Sequence, residues 1–564
     1  MKRTILVALL SAGVLGVAWG AYRVAAPPEP ELSHFVPSGA LLYLQAKDFS
    51  SLLVDWDKSQ EKENWLKSKN HEVFSQSRLL LRLQDAGGEF SKAAGVPANV
   101  DLLHQVAGKQ TALALYDIGK LQFLFIARRA SADSMQSALW QTRSKFETRT
   151  AGGVNFFYRK DPDSGREIAF AIRGDYLLLA TREDLMAGAL QLLAGGKDHC
   201  IEEEPWWSRS IAAAGAPGDL RMVLNLEKIV PSPYFRSYWI QQNITEMKQY
   251  SAAISDLTRS DKEYHEERTL LRKDAAHDRS EGKSPAAVAE ILRMVPVNTG
   301  IYEAKADPDP KDSLELLTAK ILAPHLGPAA PEKLAPQVQL GGGETGSASD
   351  LETRIDQPPA QNSVLGDGRG PLQAVFAKNH VLAQLQLQST DRDPAGVFVR
   401  IHSAIAFRGE SDWEEPVVRA ALVDFVRPGF TTGQLGVGWK TVSGYSVLDG
   451  LWPLAVAVRG KYLIISDNAP LLSSALDGLN KKPSALAAVF AASFDHQRER
   501  ENFVALTTML DLGSGTPTNG GSPEFFSGNI ASLSFTLKNI SSEKIVVRDA
   551  GDRQTQTVIY AWAQ

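Results

Sequence analysis

The chain has 564 residues, 44% apolar and 22% charged, with a formal net charge of −5. That length exceeds what one hydrophobic core holds and gives an expectation of roughly two to four domains. The composition excludes a largely disordered or fibrous protein, and the near-balanced charge lacks the basic footprint that phosphate neutralisation needs, so nucleic acid is excluded as a partner.

The N-terminus reads MKRTILVALLSAGVLGVAWGAYRVAAPPEPE, with Lys2 and Arg3 ahead of the uncharged, mostly apolar run Ile5 to Tyr22. Residues 1–26 read as a signal peptide or a membrane anchor. Ala18 and Gly20 suit cleavage after Gly20. At about 1.5 Å per residue the run also approaches the bilayer core in length, with Trp19, Tyr22 and Arg23 as interfacial anchors. Both readings stay open, and both place the remainder outside the cytoplasm, either anchored in the inner membrane facing the periplasm or secreted.

Residues 34–235 read as a first α+β unit. VPSGALLYLQAKDFSSLL (36–53) predicts a strand and then a helix capped by Asp48. AFAIRGDYLLLATREDLMAGAL (169–190) predicts a hairpin turning at Gly174, the position where a type II′ turn needs positive φ, and then a helix opened by a Thr181/Asp184 capping box. AVAVRGKYLIISDNAPLLSSAL (455–476) repeats the arrangement around Gly460, with Asp467 or Asn468 as cap and Pro470 in the first turn. Arg173-Gly174-Asp175 has the spelling of an adhesive tripeptide, but the second copy replaces Asp175 by Lys461. The turn alone therefore accounts for the glycine.

Cys200 is the single cysteine, so no internal disulfide forms. With only His199 and Glu202 to Glu204 beside it, it reads as an inert thiol, and no metal site is predicted. The segments PWWSRS (205–210) and PSPYFRSYWI (231–240) supply Trp206, Trp207, Tyr234, Phe235, Tyr238 and Trp239. These aromatics suit either a core or a face that binds a protein or glycan, and the sequence leaves both open.

Residues 236–293 are charged with balanced sign, and Tyr250, Leu257, Tyr264 and Leu271 recur at heptad spacing, which predicts a long helix, packed on its own domain or serving as an association arm. Residues 294–323 begin a second unit, with Asp312 and Glu315 as a capping box. Residues 324–370 are rich in Pro, Gly and Ser and read as an irregular linker. Residues 371–564 complete the second unit. The expected fold class is thus α+β, an internal duplication of a mixed strand/helix unit in which a sheet hairpin precedes a helix. A long helical segment and a Pro/Gly-rich linker would stand between the halves.

Catalytic signatures are sparse. The chain has no G-x-S-x-G elbow, phosphate-cradling P-loop or H-E-x-x-H pair, and its ten histidines are scattered. S-x-x-K occurs at Ser59/Lys62, Ser280/Lys283 and Ser541/Lys544, but the K-T-G triplet that a serine acyl-enzyme of that kind needs is absent. No cofactor is implied.

The opening VPSGALLYLQAKDFSSLLVDW, with the later PSPYFRSYWIQ, resembles a group of uncharacterised bacterial extracytoplasmic proteins with an N-terminal membrane signal. The resemblance implies a cell-envelope location and supplies no catalytic residues. The expected function is a non-enzymatic, membrane-tethered or secreted envelope protein that binds or scaffolds another envelope component. The alternative is an envelope hydrolase whose active site is assembled from residues distant in sequence.

Overall fold

A computed structural model describes residues 30–67, 71, 75, 78–197, 199–232, 247–260, 262–273, 284–322, 369–392, 399–430, 438–449, 454–499 and 540–562. Short apolar runs ending at tight turns give, in the first part of the chain, strands β1 (Leu42–Ala46), β2 (Gln110–Asp117), β3 (Gln122–Arg128), β4 (Glu147–Ala151), β5 (Val154–Lys160), β6 (Glu167–Arg173), β7 (Tyr176–Ala180), β8 (Leu220–Asn225), β9 (Tyr250–Arg259) and β10 (Glu263–Arg272). The second part supplies β11 (Ile301–Ala306), β12 (Val381–Arg392), β13 (Val399–Gly409), β14 (Gly438–Val442), β15 (Tyr445–Asp449), β16 (Ala455–Arg459), β17 (Tyr462–Ser466), β18 (Phe490–Asp495), β19 (Ile540–Asp549) and β20 (Arg553–Trp562).

These strands overturn the expected α+β fold class. They do not form separate mixed units: all twenty lie in one continuous sheet, and every pairing is antiparallel. Outward from the central β10–β20 pair, one arm runs β9, β8, β1, β2, β3, β7, β6, β5, β4, and the other runs β19, β18, β11, β12, β13, β17, β16, β15, β14. At the seam Glu267 faces Thr557, whose hydroxyl donates to the Glu267 carboxylate at 3.1 Å.

The predicted long helix is also corrected. Within 236–293, β9 and β10 are strands, and helix returns only at Pro285–Leu292; residues 233–246 and 274–283 lie outside the described ones. The physical reason is periodicity, because an odd spacing of seven alternates faces on a strand, so Tyr250 and Leu257 form no common stripe. The charges of β10 pair within the sheet instead, as Arg268 does with Glu266 at 2.5 Å. Nor does the Pro/Gly-rich stretch separate the arms. It falls inside the second one, between Pro310–Leu317 and Arg369–Lys378, and residues 323–368 are not among those described.

Both faces of each arm are covered. In the first arm, one face packs against α1 (Glu183–Leu193) and α2 (Pro205–Ala213) around Tyr43, Ile126 and Leu178. The other packs against α3 (Arg78–Ala94) and α4 (Val100–Val106) around Phe90, Phe125 and Phe170. The second arm carries α5 (Pro285–Leu292) and α6 (Ala469–Asp477) on one face, and Pro310–Leu317, Arg369–Lys378 and Glu415–Phe430 on the other.

Gly174 and Gly460 turn the β6–β7 and β16–β17 hairpins with φ of 52° and 55°, where a Cβ would be strained. Asp175 and Lys461 are not in the positive-φ region, as type II′ geometry requires. The caps differ in detail from expectation. Asp48 accepts from the Ser51 N–H and Asn468 from Leu471 as predicted, but Asp309 rather than Asp312 caps its helix. Thr181 makes no capping box, because its hydroxyl accepts from the Phe123 N–H at 2.8 Å across the sheet.

Candidate functional site

Burial decides the fate of the aromatic candidates. Trp206 and Trp207 are 6% and 5% exposed, and Trp207 stands edge-on to the fully buried Tyr43 with centroids 4.9 Å apart. They belong to the first-arm core. Tyr234, Phe235, Tyr238 and Trp239 lie outside the described residues. Gly174 and Gly460 are turn residues on the two arms and come together with none of these.

Among the described residues, one His/Cys/carboxylate trio converges, His34, Cys200 and Glu202, with ligand atoms within 4.8 Å of one another. Burial pushes the Cys200 thiol up, against the thiolate that metal ligation requires. Glu202 is already engaged by the Ser33 hydroxyl at 2.5 Å. The serine–lysine pairs are structural where described: the Ser59 hydroxyl accepts the Lys62 N–H at a helix start while Lys62 pairs with Asp57, and the Ser541 hydroxyl donates to the Ala561 and Trp562 carbonyls. Ser466-Asp467-Asn468 spells the S-D-N triplet of serine acyl-enzymes. Here Asn468 caps α6, and the Ser466 hydroxyl donates to the Ser403 carbonyl at 2.8 Å.

Glu499 stands apart among the described carboxyls whose pKa is shifted, because its shift is upward. It is fully buried, and burial pushes its pKa up even though the Thr390 hydroxyl donates to it. Among the described residues its second oxygen makes no hydrogen bond, and the Arg498 Nε stands 3.8 Å away. A raised carboxyl makes the fold bind the proton more tightly than the unfolded chain does, so stability falls as pH rises from below the ordinary carboxylate value through the raised one. Glu499→Gln is therefore expected to stabilise the protein at pH 7 by about 1 kcal/mol or more, with the gain vanishing near pH 4. Urea titrations at both pH values check this, and an equal gain at both would remove the charge as its cause.

The strongest site is a cavity of about 840 Å³ on the face of the first arm that carries α3 and α4. Its floor comes from alternate residues of six strands: Leu44, Leu113, Leu115, Phe123, Phe125, Leu179, Leu220, Met222 and Leu257. Its roof is Leu83, Ala86, Gly87 and Phe90 of α3 with Leu102, Leu103 and Val106 of α4. The space exists because α3 presents small residues at Ala86 and Gly87 where bulky ones would close onto the sheet. Leu44, Leu83 and Leu220 are 36%, 43% and 37% exposed, so an apolar rim faces water.

Every polar side chain on this wall is already engaged within the protein. Gln45 bonds Glu31 and Tyr43, Asn99 caps α4, and Thr111 bonds the Gly108 carbonyl. Arg166 donates to Glu89 and to the Lys120 carbonyl, both at 2.5 Å. Arg221 forks onto Asp256 at 2.7 and 2.8 Å. Ser255 donates to Glu266 at 2.7 Å. The residues nearest to a hydroxyl–base pair are Ser255 and Glu266. Burial raises the Glu266 carboxyl, but its bonds from Arg268 and Ser255 outweigh that and hold it below the usual carboxylate range, which makes it a poor base.

No protein-family model and no curated protein matches the chain. Among solved structures, crystal form I of TP0453 is similar at 12% identity and a TM-score of 0.24, over 44% of this chain and 81% of that one. Forms IV and III give the same identity and score over 45% and 49% of this chain, and 83% and 90% of that one. A likeness at that score carries no argument. Among the described residues no helix is long and apolar enough to cross a membrane; residues 1–29 are not among them.

Proposed function

We propose that the chain is a non-catalytic extracytoplasmic protein whose first arm binds the hydrocarbon chain of an amphiphile, with the N-terminal segment as its signal or membrane anchor. The observation that carries this reading is the cavity of about 840 Å³, walled by aliphatic and aromatic side chains, whose polar members are all engaged elsewhere. That size falls within the range of small-molecule sites. It is too small for an apolar helix. At about 0.8 kcal/mol per buried methylene, a chain of about a dozen carbons contributes roughly 10 kcal/mol before its ordering cost is deducted. A polar ligand would have to compete with partners that each polar side chain on this wall already has. The weak Ser255/Glu266 pair favours binding over hydrolysis.

Fluorescent fatty-acid titration of the delipidated full chain tests the reading. Saturable binding in the micromolar range or tighter is expected. Gly87→Leu should fold, because a Cβ there meets only the Ala98 Cβ, at 3.9 Å, and leucine is the better helix former. Its side chain would occupy the cavity, so binding should fall at least tenfold. Unchanged binding in Gly87→Leu would place the ligand elsewhere.

A further inference from the structure

We infer that the large cavity and a smaller one beside it form a single site for an anionic single-chain amphiphile, with the hydrocarbon in the larger and the head group on Arg259 in the smaller. The inference rests on the chain-binding reading above and adds the ligand's polarity and orientation. The smaller cavity holds about 180 Å³ and shares Leu220 and Leu257 with the larger. Those two residues are cross-strand partners on β8 and β9, so they form a common sill between the two spaces.

Past that sill the wall changes character, to Trp56, Tyr264, Asp219 and Arg259. Trp56 is 41% exposed, an aromatic at a boundary between apolar interior and water. The Arg259 guanidinium lies 5.9 Å from the Tyr264 ring centroid. Its acidic neighbour Asp55 is 3.6 Å away and 59% exposed, and an ion pair so exposed holds weakly. The planar fork therefore stays able to take a carboxylate or phosphate in two-point contact. Asp219, the one acidic residue on this wall, has an oxygen turned onto the Arg259 backbone N–H at 2.8 Å. The tail thus lies under α3, and the anionic head faces the opening beside Trp56.

Calorimetric titration of the delipidated full chain with dodecanoate, dodecyl phosphate, dodecanol and dodecylamine tests this polarity. The two anions are expected to bind about tenfold more tightly than dodecanol, and the tighter of them names the head group. Arg259→Gln should abolish that preference by lowering anion affinity to about that of dodecanol, and an unchanged thermal unfolding transition shows that the variant is folded. Tighter binding of dodecylamine than of the anions, or an anion preference that survives Arg259→Gln, would overturn the assignment. If dodecanol binds but shows no disadvantage, only the head-group assignment falls. If none of the four binds the wild-type chain, the chain-binding reading falls and takes this one with it.

Discussion

Replacing Asp549 by alanine is expected to cost about 3–5 kcal/mol of folding stability, because it strands a buried charge. The Asp549 side chain is fully buried and accepts a two-point pair from Arg272 at 2.6 and 2.8 Å, and the Arg272 side chain is only 8% exposed. The same guanidinium donates to the Gly551 carbonyl at 2.5 Å. Arg272 cannot escape by losing its proton once Asp549 is gone, since a guanidinium keeps its charge at any ordinary pH. The pair also joins strands from opposite arms, beside the Tyr250 hydroxyl that donates to Gln554 at 2.6 Å. The double variant Arg272→Met/Asp549→Leu removes both charges and should recover most of the loss. Urea unfolding with its slope measured checks both variants, and a loss below about 1 kcal/mol in Asp549→Ala would show that water reaches the guanidinium.

A comparable loss, about 3–5 kcal/mol, is expected for Trp207→Ala, while Leu44→Ser and Leu83→Ser should each cost about 1 kcal/mol or less. Trp207 packs edge-on to Tyr43 and at 5.9 Å to Trp206, and no rearrangement of those neighbours refills an indole-sized hole. Leu44 and Leu83 stand on the cavity rim, already more than a third exposed. They lose little by becoming polar, but an amphiphile loses wall contact there. Thermal unfolding and fatty-acid titration should therefore sort the three variants in opposite orders. If Trp207→Ala weakened binding without destabilising the fold, the indole would belong to the site and not to the core.

The elements legible in the sequence were those set by local chemistry. A glycine at a two-residue turn between apolar runs specifies the hairpins at Gly174 and Gly460, and a side-chain oxygen ahead of an apolar run specifies the caps at Asp48 and Asn468. What partner a strand takes is not local, which is why one continuous sheet was not foreseen: nothing in the pattern of β10 names β20 as its neighbour. The heptad spacing of Tyr250, Leu257, Tyr264 and Leu271 is compatible with a helix, but the cross-strand pairing of β9 with β10 prevails over it. The cavity was hidden because its wall is every second residue of strands spread from Leu44 to Leu257. Two signals pointed toward it. Leu113, Leu115, Phe123 and Phe125 are apolar on the face opposite Ala112, Ala114, Leu124 and Ile126, so β2 and β3 need cover on both sides. The helix that supplies the cover carries Gly87 and Gly88, which cannot fill space.

The β10–β20 seam also sets an order of events at birth. Arg272 and its partner Asp549 are 277 positions apart, which at about 10 residues per second is roughly half a minute of synthesis. Throughout that interval the outer edge of β10 is a bare row of ten residues with no strand to receive its hydrogen bonds. The first arm can assemble early, but it waits with an open edge that any other extended chain can occupy, including β10 of a sister molecule. Glu263, Glu266, Glu267, Arg268 and Arg272 on that strand give it a charged pattern that resists sticking to the wrong neighbour until the right one arrives.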